Sequence, residues 1–165
     1  MMNIVFEKLG MEHQKTVMEI FNYYVTTGTS AFPPTPLPEQ FYPMLMKRSE
    51  DLCAYAVVDA DANRTVGFCS LSPFHPFSTF QKTADVSYFI AQDYTAKGVS
   101  AKCLSLLEQD GKTLGLHHLI AEISSENQPS IQFHIKNGFF QIGEFQNVGE
   151  KLGRTFSIVL MQKTL

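Results

Sequence analysis

Cysteine is scarce and scattered in this chain. Cys53, Cys69 and Cys103 are odd in number and far apart, with no Cys-x-x-Cys and no Cys/His cluster at zinc spacing. That argues against a disulfide framework and a zinc site, and predicts small, buried, apolar thiols in a reducing compartment. His117-His118 is the one adjacent histidine pair, and neighbours on a strand point to opposite faces, so no metal is expected there. Excess positive charge is lacking as well. With 13 Lys+Arg against 16 Asp+Glu, a net charge of -3 and the basic residues dispersed, there is no footprint for nucleic acid or for an anionic membrane, and neither partner is expected. Long hydrophobic runs are missing too. From Met1 the chain meets Glu7 and Lys8 before any run of signal-peptide length, and no stretch approaches membrane-span length. Repeats and low-complexity tracts are absent, so a cytoplasmic enzyme or binding domain is the expectation.

What is present fits one ordinary folded unit. The 165 residues suit a single core, and residues 1–165 read as one domain. A composition of 44% hydrophobic and 18% charged is that of a globular chain. Periodicity predicts a strand over Asn3 to Leu9 and a helix over Glu12 to Val25, with Val17, Ile20, Phe21, Tyr24 and Val25 inward. Four prolines within residues 33–38 force an extended loop, and a second helix follows over Glu39 to Arg48, turning Phe41, Leu45 and Met44 inward. Cys53 to Val58 and Thr65 to Ser72 read as a hairpin around a polar turn, and Thr83 to Ala91 as a third strand. Val99 to Leu114 is a helix with Val99, Cys103, Leu106, Leu107 and Leu114 on its inner stripe. A strand over His118 to Ile123, a helix after Asn127, and strands over Phe139 to Phe145 and Thr155 to Met161 complete the order βααβββαβαββ. That order predicts an α/β (α+β) mixed sheet covered by helices, with a strand-helix-strand unit at its centre.

Three segments carry chemistry. In Ser125 to Phe139, Asn127 is a natural N-cap, Pro129 and Ser130 suit the first turn, and Gly138 supplies a left-handed stop. Asn127, Ser130 and His134 are spaced by three and then four, along one edge of a short helix that faces either a ligand or only solvent. Gln92 to Lys102 ends a strand and opens a helix at Gly98, where unpaired N–H groups and the positive dipole end suit a phosphate. Thr83 to Ile90 places Asp85 on a strand, either as a base or as a partner for Lys82.

These residues resemble the acetyl-CoA-binding core of the GNAT N-acetyltransferases, within them the phosphinothricin/methionine-sulfone acetyltransferase branch, which has Asn-x-x-Ser-x-x-x-His-x-x-x-Gly-Phe at this point. The helix order resembles the GNAT fold over nearly the whole chain. The resemblance implies acetyl-CoA as cofactor, with its pyrophosphate at Lys97, Gly98, Val99, Ser100, Ala101 and Lys102. It implies pantetheine against the strand edge at Tyr88, Phe89 and Ile90, and near Asn127 and Ser130. Asp85 stands where the branch has a glutamate base in Thr-x-Glu-x-Ser-x-Tyr, one methylene or roughly 1.5 Å shorter, and a bridging water would restore contact. An acceptor ammonium, with a pKa of about 10, needs such a base. His134 falls where many members place a tyrosine acid, so it is implied to protonate or orient the thiolate; the N–H of Phe89 or Ile90 is implied to polarise the thioester. Phe32, Phe74 and His75, with Tyr24 and Thr29, are candidates to line the acceptor pocket, with core or rim packing the equal alternative for Phe32, Phe74, Tyr24 and Thr29.

The chain departs from the branch at Thr95, Ala96 and Ser100 in the phosphate loop, at His75 where an arginine is common, and at Thr155-Phe156-Ser157 where Trp-x-Asp is common. With no cysteine in these motifs as a nucleophile, the expectation is direct acetyl transfer to the primary amine of a small molecule, amino-acid-like or not, and the resemblance implies a homodimer. The alternatives are a GNAT enzyme for a polyamine, aminoglycoside or protein amine, and a catalytically weak acyl-CoA-binding regulatory domain.

Overall fold

The computed structural model describes residues 2–165; Met1, part of the amino-terminal stretch read above, lies outside them. The strands are β1 (Ile4–Lys8), β2 (Cys53–Asp59), β3 (Arg64–Pro73), β4 (Thr83–Ile90), β5 (His118–Ser124), β6 (Phe140–Lys151) and β7 (Arg154–Thr164). The helices are α1 (Gln14–Thr27), α2 (Tyr42–Lys47), α3 (Val99–Thr113) and α4 (Gln128–Lys136). The chain order is the expected βααβββαβαββ. One seven-stranded sheet runs β1-β2-β3-β4-β5-β7-β6, antiparallel except for the parallel pair β4 and β5.

Alternation along the strands divides the molecule into two layers. Ala84, Leu119, Ala121, Ile123, Val159 and Met161 pack with Val99, Cys103, Leu104 and Leu107 of α3 and Ile131 of α4. On the opposite face Ala56, Val58 and Phe68 pack against Val17, Met18 and Ile20 of α1 and Tyr42 of α2. Full burial of a leucine such as Leu107 contributes about 1.5–3 kcal/mol, and truncating it to alanine costs about 2–5 kcal/mol through the cavity left behind.

Several expected boundaries and faces shift. The first helix opens with a 3-10 turn at Met11–His13, and the second begins as one at Glu39–Phe41, where Pro38 supplies an extended N-cap. Met44 is 60% exposed, and Tyr42 takes the inward place, its hydroxyl donating to the Gly10 carbonyl at 2.7 Å. On α3, Leu104 is buried in place of Leu106, and Leu114 lies beyond the helix, 46% exposed. β6 runs on to Lys151, well past Phe145, because register shifts after Gln141 and Phe145 interrupt its alternation while pairing with β7 continues.

Candidate active site

The pairing of β4 with β5 covers Thr83↔His118, Ala84↔Leu119 and Asp85↔Ile120 and goes no further. Beyond it the strands part around a cleft of about 710 Å³, lined by Val86 to Ile90 of β4, by Ala121 to Ser124 of β5, by the first turn of α3 and by one side of α4 along its length. β4 keeps its bonds to β3 along this stretch, and the Ala91 N–H donates to Val66 at 2.8 Å. Antiparallel alternation then turns the N–H groups of Phe89 and Ser87 toward β3, and those of Tyr88 and Ile90 toward the parted side. Of the two amides proposed from sequence, Ile90 therefore faces the cleft and Phe89 does not. The Ile90 carbonyl accepts from the Tyr24 hydroxyl at 2.5 Å, which ties α1 to this edge.

At the other flank, Gly98 caps α3 with φ +81°, and Ala96 before it also takes a positive φ, +57°. The first bond of the helix is from Lys102 N–H to the Gly98 carbonyl at 3.3 Å, which leaves the N–H groups of Val99, Ser100 and Ala101 without a helical partner. Gly98, Ser100 and Ala101 line the cleft; Val99 is core, and Lys97 and Lys102 are exposed outside it. The Lys97 ammonium sits 5.3 Å from the centre of the Tyr94 ring. A helix start with free donors next to a free strand edge fits the pyrophosphate and the amide-bearing arm of coenzyme A.

His134 is buried in the cleft wall. Its Nδ1 lies 2.7 Å from the Ser130 carbonyl, which can only accept, so Nδ1 carries the hydrogen. Nε2 then accepts from the Tyr88 hydroxyl. Burial pushes the imidazole down from its ordinary value, partly opposed by the Ser130 carbonyl, and pushes the Tyr88 phenol well up. Both are neutral at physiological pH, and the transferable proton of the pair sits on Tyr88 rather than on His134.

Asn127 caps α4, its Oδ1 accepting from Ser130 N–H at 3.3 Å, and its Nδ2 donates to Ser30 Oγ at 3.1 Å. That second bond helps pin the proline-rich loop over the end of β5. Thr29 Oγ1 is 2.6 Å from Ser124 Oγ and donates to Glu126 at 2.9 Å, Glu126 in turn pairs with Arg154, and Lys151 Nζ donates to the Ala31 carbonyl at 2.7 Å.

Asp85 lies opposite Ser72 of β3, on the α1/α2 face and outside the walls of the cleft. Its Oδ1 is buried with no hydrogen-bond partner. Burial, together with the charge of Glu122 and against that of Arg48, pushes its carboxyl up to about 6.

The cleft thus gathers Tyr88, Phe89, Ile90, Gly98, Ser100, Ala101, Asn127, Ser130 and His134. Phe32, Phe74 and His75 stand apart from it. Phe32 stacks on Phe156 at 6.3 Å, Phe74 meets Phe80 at 6.0 Å, and His75 packs between Phe77 and Phe80. Ser30 and Glu122, which also line the cleft, carry no local motif. Ser30 arrives by loop crossing, and Glu122 is the polar residue of an alternating strand.

Two parallel strands parted over a cleft, with a helix start at one side and a free strand edge at the other, define an acyl-CoA N-acyltransferase fold. The acetyltransferase (GNAT) domain family matches residues 5–140. The L-amino acid N-acyltransferase MnaT of Escherichia coli (strain K12) is 32% identical over 69% of this chain and 67% of its own length. The L-methionine sulfoximine/L-methionine sulfone acetyltransferase of Pseudomonas paraeruginosa is 33% identical over 63% of this chain, which spans 60% of that relative. A solved GNAT superfamily phosphinothricin acetyltransferase from Sinorhizobium meliloti, in complex with AcCoA, superposes with a TM-score of 0.93 at 22% identity, covering 99% of this chain and 89% of that one. The chain belongs to the GNAT acetyltransferase family, whose acetyl donor is acetyl-CoA.

Proposed function

We propose that this chain transfers acetyl directly from acetyl-CoA to the primary amine of an amino-acid-like small molecule. The observation that carries this reading is the parting of β4 from β5 directly after Asp85↔Ile120. It lets a thioester in the cleft meet an amine held beside Asp85 on the opposite face of the sheet. The acceptor class is supported by what the Escherichia coli and Pseudomonas relatives are named for.

In this reading the N–H groups of Val99, Ser100 and Ala101 hold the pyrophosphate, and the Tyr88 and Ile90 edge holds the pantetheine. Lys97 and Lys102, exposed beside that helix start, add charge near the phosphates. Asp85 takes the proton of the ammonium, and the freed lone pair attacks the thioester carbon while the Tyr88 N–H, which also faces the parted side and lies nearer Asp85 on β4 than Ile90 does, stabilises the developing oxyanion. The carbon–sulfur bond breaks, the Tyr88 hydroxyl turns from His134 Nε2 and gives its proton to the thiolate, and solvent returns a proton to the phenolate through the open cleft. His134 is a positioning residue that holds the phenol in place. Direct transfer accords with the cysteines, since Cys69 and Cys103 are buried in the core. Phe32, Phe74 and His75 bound the acceptor side of the sheet.

The free thiols suit the cytoplasm, and among the described residues no helix is long and apolar enough to cross a membrane. The continuous sheet supports a single domain over residues 1–165. Phe140, Ile142, Phe145 and Val148 on the edge strand β6 are each about half exposed or more, an apolar surface that a second copy of the chain would cover in a homodimer. Thermal shift with acetyl-CoA tests the donor site: a rise in Tm is expected, and no shift at saturating acetyl-CoA would overturn the reading.

A further inference from the structure

Glu122 is a carboxylate of the cleft wall that these roles leave unused. Its neighbours Ala121 and Ile123 enter the core beneath α3 and α4, so alternation turns Glu122 to the other face of the sheet. Ala84 enters the same core from β4, which turns Asp85 to that other face as well. The strands are parallel and in register at Asp85↔Ile120, and Glu122 stands two residues past this pair, where the sheet opens. Glu122 is exposed and lines the cleft, whereas Asp85 is set back with a buried, unpartnered oxygen. Around Asp85, β3 contributes the uncharged Ser72, β5 contributes Glu122, and the end of α2 contributes the exposed Arg48.

Resting on the reading of Asp85 as a base, we propose that Glu122 is the second carboxylate of the proton-accepting site, and that Asp85 and Glu122 together take the proton of the acceptor ammonium. Glu122 has the length that aspartate lacks and reaches the cleft from the neighbouring strand. The acceptor N–H bond breaks, an O–H bond forms on the pair, and the nitrogen lone pair is released for attack. The proton leaves to solvent through the open side of the cleft after transfer. The charge of Glu122 already helps to raise the Asp85 carboxyl.

Carboxyl-carbon NMR titration of Asp85, in the full chain with and without Glu122→Gln, tests the coupling without needing turnover. The substitution is expected to lower the Asp85 midpoint by about half a pH unit or more. With an amine that the wild type acetylates, Glu122→Gln should lower kcat/KM about tenfold and move the acid limb of its pH profile downward, and Glu122→Asp should retain most of the rate. An unmoved Asp85 midpoint, or kcat/KM within about twofold of wild type with the acid limb in place, overturns the pair. Turnover without coupling sinks the pair alone; coupling without turnover on any amine sinks the transferase reading and the catalytic use of the pair together.

Discussion

The hydroxyl of Tyr88 on β4 donates to Nε2 of His134 on α4, and the Nδ1–H of His134 is committed to the Ser130 carbonyl. One bond therefore joins the free strand edge to the capped helix and decides which of the two residues carries a proton to give. Replacing Tyr88 with phenylalanine keeps the ring packed against Phe133 and removes the proton. Steady-state thiol release should show kcat lowered about 100-fold with KM for acetyl-CoA little changed. A kcat within twofold of wild type would remove Tyr88 from the acid role.

Asp85 sets stability against function. Its carboxyl is raised to about 6 by burial and by Glu122, so the folded state binds a proton more tightly than the unfolded one. That stabilisation is complete below the unfolded carboxylate pKa and is lost as pH rises through about 6. Asp85→Asn removes the charged form, so at pH 8 it should stabilise the fold by about 1 kcal/mol after allowance for solvent screening, and raise Tm by about 2–4 °C. At pH 4 the gain should vanish, and the sharp fall in turnover should be confined to pH 8, where wild-type Asp85 is the charged base. A calorimetric scan at the two pH values checks the sign.

Ala96 holds φ at +57°, where the family branch often has glycine. A non-glycine residue in the left-handed region costs about 1 kcal/mol. Ala96→Gly should raise Tm by about 2–4 °C without ligand, and isothermal titration should show acetyl-CoA binding at least as tight as in the wild type. A lower Tm would mean that the loop's conformation is not strained.

Val148 is 61% exposed and Phe145 53%. If β6 carries the contact between copies, Phe145→Glu with Val148→Glu should leave a folded monomer in light scattering. An unchanged dimer would move the interface elsewhere, and a monomeric wild type would remove it.

The order of elements was legible in the sequence because strand and helix periods are local, and so was the Asn127 cap with its glycine stop. The inward stripe of α3 was less so, since Leu104 and Leu106 differ only in which one the sheet meets. The end of β6 was hidden by its bulges and by strand residues facing solvent on both sides. The chemistry of His134 was legible as a residue but not as a state. Its tautomer is set by the Ser130 carbonyl, but its part as the acceptor for a phenol depends on Tyr88, 46 positions away, and that contact exists only when β4 and α4 come together. Ser30 and Glu122 were illegible for a similar reason, as their place follows from the path of a loop and from the parting of two strands.

Thiol release from acetyl-CoA by the purified wild-type chain, over a panel of L-amino acids, methionine sulfone and methionine sulfoximine, simple diamines and peptides, tests the central claim most directly. The account predicts turnover on at least one amino-acid-like amine, rising from pH 6 to 8.5 as the ammonium proton becomes easier to remove, with Asp85→Asn strongly impaired. Acetyl-CoA binding with no turnover on any amine, or full activity in Asp85→Asn, would contradict it.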